Sequence, residues 1–158
     1  MARHDEAVAE VRGEALRAGL IALAVYHLAL ALWMTIAPHA FYEAVGPFGA
    51  FNRHYMRDIA TFSAALGFGF AVAVRRPSWR LPVIAVTAVQ FTLHTVNHLA
   101  DASKAHPEWT GWFDFASLLV ATLLLVWMWR AAASSRAAGA VSPDLLHPSP
   151  PIPERSTT

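Results

Sequence analysis

Residues 59–74 read IATFSAALGFGFAVAV, a run without Asp, Glu, Lys or Arg. As a helix it would be ~24 Å long at ~1.5 Å per residue, short of a ~30 Å hydrocarbon core. Arg75, Arg76 and Pro77 close it on one side. A membrane crossing built on this run must therefore take its missing length from the front, from Tyr55, Met56, Arg57 and Asp58. The reading predicts a span of about 55–74 that carries charge into a place where charge is expensive.

Outward from this stretch the chain repeats the pattern. Residues 18–42 lack Asp, Glu, Lys and Arg and predict a first span of about 16–37, ended by Pro38, with Trp33, Phe41 and Tyr42 as interfacial anchors. Between the two spans, Pro38, Gly46, Pro47 and Gly49 predict a loop, and its Phe41, Phe48 and Phe51 place it against the membrane surface. After the basic turn Arg75–Arg80 a third span of about 81–100 is expected, with Pro82 in its tolerant first turn. The fourth uncharged run, Phe115–Trp129, is short again, so a span of about 111–130 draws Asp114 inward. The fold expected is all-α: an integral membrane four-helix bundle.

The flanks have a different character. Residues 1–15 mix acids and arginines among alanines and predict a short cytoplasmic helix; the acids and the long apolar run that follows do not suit a signal peptide. Residues 131–158 turn to Ala, Ser, Gly and Pro, ending in Pro143, Pro148, Pro150, Pro151 and Pro153, and predict a disordered cytoplasmic tail. Arginines crowd the 75–80 turn, the N-terminal segment and residues 130–136, which puts both termini on the cytoplasmic side.

Composition agrees. Of 158 residues, 56% are hydrophobic and 15% charged, against about 25% charged in soluble domains. Mean hydropathy is +0.38 and the net charge is +1. A lipid bilayer is the expected partner; without a basic stripe, nucleic acid is not. The absence of cysteine excludes disulfides, thiolate metal sites and a Cys nucleophile. There is no phosphate loop, GxSxG elbow or dinucleotide fingerprint.

The third span carries the densest chemistry. Residues 90–101 read QFTLHTVNHLAD, and helical spacing puts Gln90, His94, Asn97, His98 and Asp101 on one stripe, extended by Thr87. On the second helix, His54, Arg57, Asp58 and Thr61 share an arc, and on the fourth so do Asp114, Ser117 and Ala121. Counted from the cytoplasmic ends, His94 lies at ~20 Å, His98 at ~26 Å, Asp58 at ~24 Å and Asp114 at ~23 Å, all in the outer leaflet. Polar stripes at one depth are expected to face one another rather than lipid.

His at i and i+4 is a metal-ligand spacing. The metal candidates are His54, His94, His98, Asp58 and Asp101, with zinc or non-haem iron as the expected ion. Asp58 and Asp114 are candidates for proton handling, and Gln90, Asn97, Arg57 and Thr61 for contacts to a small hydrophobic ligand. Against this stands a plainer reading, in which His94 and His98 hydrogen-bond across helices and Arg57 and Asp58 form a structural ion pair. His27, alone in mid-span, reads as a satisfied core histidine. The small residues Ser63/Gly67/Ala71 and Ala65/Gly69/Ala73 read as a close-packing ladder, suited to helix neighbours, a membrane protein partner or a homo-oligomer.

The end of the first span (Trp33, Pro38, Phe41, Tyr42), the opening FNRHYMRD of the second (51–58) and His94/His98/Asp101 closing the third together resemble the DoxX-like class of small four-helix bacterial membrane proteins. The resemblance covers roughly residues 16–130. It implies a multi-pass protein of a bacterial plasma membrane, with some members associated with oxidoreductase complexes; it carries no residue role onto this chain. Three functions follow as expectations: a metal centre acting on a small or lipid-soluble substrate, an accessory subunit held by internal polar contacts, and a metal-free ligand or proton-relay pocket.

Overall fold

A computed structural model describes residues 2–140. Five helices account for nearly all of it: α1 (Ala2–Ile36), α2 (Pro38–Val45), α3 (Arg53–Arg75), α4 (Arg80–Asp101) and α5 (Glu108–Ala140), with 3-10 turns at Pro77–Trp79 and Ala102–Lys104. Four segments are long and apolar enough to cross a membrane: Ala7–Ile36, Arg53–Arg75, Pro77–Lys104 and Glu108–Ala137.

Asn52 starts α3 as its N-cap. Its side-chain oxygen accepts from the backbone N–H of His54 at 3.0 Å and of Tyr55 at 3.3 Å, partnering donors that the helix itself leaves free. Tyr55 through Asp58 are thereby helical. Asp114 likewise sits inside α5.

Three boundaries differ from the sequence expectation. The N-terminal segment is not a separate helix, because α1 runs unbroken through residue 15. No proline interrupts that stretch and Ala15, Leu16 and Arg17 are strong helix formers. At the other end α5 continues past Arg130 to Ala140, since six of the ten residues 131–140 are alanine and the first proline is Pro143. The remainder of the expected tail, 141–158, lies outside the described residues. The expected 38–53 loop contains α2, whose first residue, Pro38, occupies the position where a missing N–H costs nothing.

The helices pack as two pairs. α1 lies along α3 and α4 along α5, with lighter contacts of α3 on α4 and of α1 on α5. Small residues set these approaches. A Cβ on Gly67 would stand 2.7 Å from Leu28 Cγ, and one on Gly69 would stand 2.9 Å from Val83 Cγ2. The ladder on α3 is thus used within the chain, Ser63 and Gly67 against α1 and Gly69 against α4. α4 and α5 are tied by their Thr95 and Thr122 hydroxyls, 3.1 Å apart.

The buried core lies at one end. Leu16, Leu20, Phe70, Ile84, Leu125 and Met128 belong to a single cluster beside the 76–79 turn and the start of α1. There the two pairs touch, with Met128 over Gly19. At the opposite end they stand apart beneath α2 and the 46–52 segment. Val25, Leu32, Phe68, Val89 and Leu123 point outward. Such a surface suits lipid contact.

Candidate functional site

The space between the separated pairs is a cavity of about 650 Å³. α1 contributes Leu23, Tyr26, His27, Leu30 and Met34 to its wall. α3 contributes Tyr55, Met56, Ile59, Phe62, Ser63 and Leu66, an i, i+4, i+7 face. α4 supplies Gln90, Phe91, His94 and His98, and α5 supplies Asp114, Ser117, Leu118 and Ala121. Phe41, Tyr42 and Val45 of α2, with Gly46, Phe48, Ala50 and Asn52, form the roof. Tyr26, Tyr55, Ile59 and Phe62 of the α1–α3 pair line the space and are also about half exposed or more, so the cavity is open to the outside along this side.

Polar groups enter this mostly apolar wall at two levels. The lower is His27, which is 4% exposed. Its ring stacks on Phe70 with centroids 5.8 Å apart and meets Phe91 edge-on at 5.8 Å. Its Nδ1 lies 3.3 Å from Ser63 Oγ, while Ser63 Oγ donates to the His27 carbonyl at 3.0 Å. Gln90, next to Phe91 in α4, belongs to this level. The upper level is His98 and Asp114 under the roof, where Phe48 packs edge-on against His98 at 5.0 Å. His94 stands between, its ring centroid 4.6 Å from that of His98. Along α4, Gln90 and His98 are ~12 Å apart, at ~1.5 Å per residue.

Four buried side-chain atoms among the described residues lack a hydrogen-bond partner: His27 Nε2, Gln90 Oε1, His98 Nδ1 and Asp114 Oδ2. All four belong to residues of this one wall. Buried polar groups are ordinarily partnered, because an unmade bond costs about 1–3 kcal/mol.

The residues singled out from sequence divide between this wall and the outside. His94, His98, Asp114 and Gln90 line the cavity. His54 and Asp58 lie on the outer surface, paired at 3.4 Å with side chains 79% and 61% exposed. Arg57 and Asn97 are exposed and off the wall, as is Thr61, whose hydroxyl donates to the Asp58 carbonyl at 2.8 Å. Asp101 is occupied with Lys104 at 2.6 Å. Thr87 is buried below the cavity and bonds the Val83 carbonyl at 2.8 Å.

The expected gathering of three histidines and three carboxylates is therefore corrected: half of it faces away. The cause is the rotational setting of α3. Ser63 and Gly67 must face α1, and at ~100° per residue this turns Asp58 by ~140° and His54 by ~180° from that contact. Among the described residues no three His, Asp or Glu side chains are grouped so as to hold a metal ion.

Sequence reasoning missed His27 and Ser63 as site members. Each is visible as a polar residue in an apolar run, but they are 36 positions apart and only the packing of α1 on α3 joins them. The roof residue Phe48 carried no signal beyond its place in an aromatic loop.

Searches against family models, curated proteins and solved structures gave no match to this chain.

Proposed function

We propose that the chain is a transmembrane four-helix bundle, both termini cytoplasmic, in a bacterial plasma membrane, and that its cavity binds a lipid-soluble small molecule admitted from the bilayer between the helix pairs. The resemblance to DoxX-like proteins is compatible with this reading and adds no residue role.

The supporting observation is the coincidence of the unpartnered polar atoms. A cavity of about 650 Å³ is of ligand size, and ligand sites are mostly apolar with a few convergent polar groups. Here the four orphaned atoms of the described residues lie on the same wall. A collapsed structural cluster would instead satisfy its members against each other, as Asp101 does with Lys104.

The test is saturable binding of 1-methylpyrene to the full-length protein in nanodiscs, read against empty nanodiscs. One site per chain is expected, abolished by Ala121→Trp, which fills the cavity from α5. Partitioning no greater than in empty nanodiscs removes the reading.

A second reading rests on the His94–His98 pair. Two imidazoles with centroids 4.6 Å apart, and Asp114 on the same wall, offer nitrogen and oxygen donors suited to zinc or non-haem iron. Stoichiometric zinc or iron in purified protein, lost in His94→Ala, would replace the ligand reading with this one.

A further inference from the structure

The hydrogen bonds around His27 constrain what the cavity accepts, granted that it binds a ligand as proposed above. Ser63 has one hydroxyl proton and gives it to the His27 carbonyl at 3.0 Å. Toward the ring it presents lone pairs only, so the Nδ1 that lies 3.3 Å away must carry the proton. In the neutral imidazole the proton cannot also be on Nε2. Nε2 is therefore left as a bare lone pair, buried and without a partner, on a residue of the cavity wall. Phe70 and Phe91 hold the ring by stacking and edge contact, and turning it over would forfeit the contact of Nδ1 with Ser63.

Of the other three orphaned atoms, two are oxygens and the third, His98 Nδ1, is a ring nitrogen that takes either role. Gln90 Oε1 is a second unpartnered acceptor, next to Phe91 in sequence, and Asp114 Oδ2 is an orphaned oxygen under the roof. No Lys or Arg is among the wall residues. An anionic head group would meet the Asp114 carboxyl and no Lys or Arg on the wall to offset its desolvation.

We propose that the ligand is a non-anionic amphiphile, an apolar body carrying a hydroxyl or ammonium group, whose head donates a hydrogen bond to His27 Nε2 at the cavity floor. Ser63 is the positioning residue that fixes the tautomer. Lipophilic alcohols, phenols and amines fit; fatty acids and phosphorylated lipids do not.

Four probes of one shape separate this from the cavity reading: 1-pyrenemethanol, 1-pyrenemethylammonium, 1-methylpyrene and 1-pyrenecarboxylate, titrated against the full-length protein in nanodiscs. The two donors should bind about fivefold tighter than 1-methylpyrene, the worth of one net hydrogen bond, with the carboxylate weakest of all. His27→Leu should erase the preference for 1-pyrenemethanol over 1-methylpyrene and leave 1-methylpyrene binding intact. Ser63→Ala should shrink the same preference. Nitrogen NMR of histidine-labelled protein provides a readout independent of those variants. It should show a bare Nε2 in His27, and its resonance should move with 1-pyrenemethanol and stay with 1-methylpyrene. Equal binding of 1-methylpyrene and 1-pyrenemethanol, tighter binding of the carboxylate, or a protonated Nε2 overturns the inference while the cavity stands. Failure of all four probes to bind overturns the cavity reading itself.

Discussion

The two ends of this molecule are built from the same four long helices and do opposite things. Beside the 76–79 turn, small residues let the pairs close: Gly69 admits Val83, Gly19 admits Met128, and Leu16, Leu20, Phe70 and Ile84 fill what remains. Beneath α2, bulky and polar side chains face inward instead. Tyr26, His27, Phe62, His94 and His98 keep the pairs apart, and the gap is roofed rather than filled. Lipid is as apolar as leucine, so association inside a membrane relies on shape and on polar contacts. Tight packing at one end therefore frees the other to stay open.

The contrast can be broken most severely at the closed end. Phe70→Ala should cost about 3 kcal/mol in a reversible unfolding assay in bicelles, toward the low end for large-to-small core changes, because the vacated ring loses packing but is not exchanged for water. Phe62→Ala, at the open end and 48% exposed, should cost less than about 1 kcal/mol in the same assay. Equal costs would mean that the two ends are not different in packing.

Gly111→Ala should come next. A Cβ there would collide with the Ala102 carbonyl where α5 crosses the 102–104 turn, and backbone cannot step aside as a flexible side chain does. About 2 kcal/mol of destabilisation is expected from this overpacking, with little change from Gly13→Ala, where nothing lies within 4 Å. Thermal unfolding of the two variants side by side checks it.

Removing the α3 cap sharpens the comparison at the open end. Asn52→Ala should lose about 1 kcal/mol and fray the first turn of α3, seen as faster amide exchange at His54 and Tyr55 with none at Phe70. The smallest effect is expected at the outward pair. Asp58→Asn should change stability by less than about 0.5 kcal/mol and leave 1-methylpyrene binding as it was, since both side chains of this pair are mostly exposed at the first turns of α3 and face away from the cavity. A large loss of either would return Asp58 to the site.

Much of this was legible in the chain. Uncharged runs and their arginine and proline ends gave four spans whose limits agree with α1, α3, α4 and α5 to within a few residues, except at the outer ends of α1 and α5. Drawing Tyr55–Asp58 and Asp114 into helices to make up length was sound, because hydropathy and helix rise are properties of consecutive residues. Asp114, Ser117 and Ala121 share an arc, and that arc lines the cavity.

Which way a helix turns is another matter. The polar arc on α3 exists but does not face inward, because Gly67 and Ser63 claim the inward face through contacts with Leu28 and His27. His27 reads as a core histidine and is one on its Nδ1 side, bonded to Ser63; that its Nε2 has no partner depends on how α1, α3 and α4 pack around it. Where the chain is helical and how long each apolar segment runs follow from residues adjacent along the chain, and both were readable there. Rotation of α3, the gap between the pairs and the unpartnered Nε2 of His27 depend on residues tens of positions away, so they emerge only when the helices are packed.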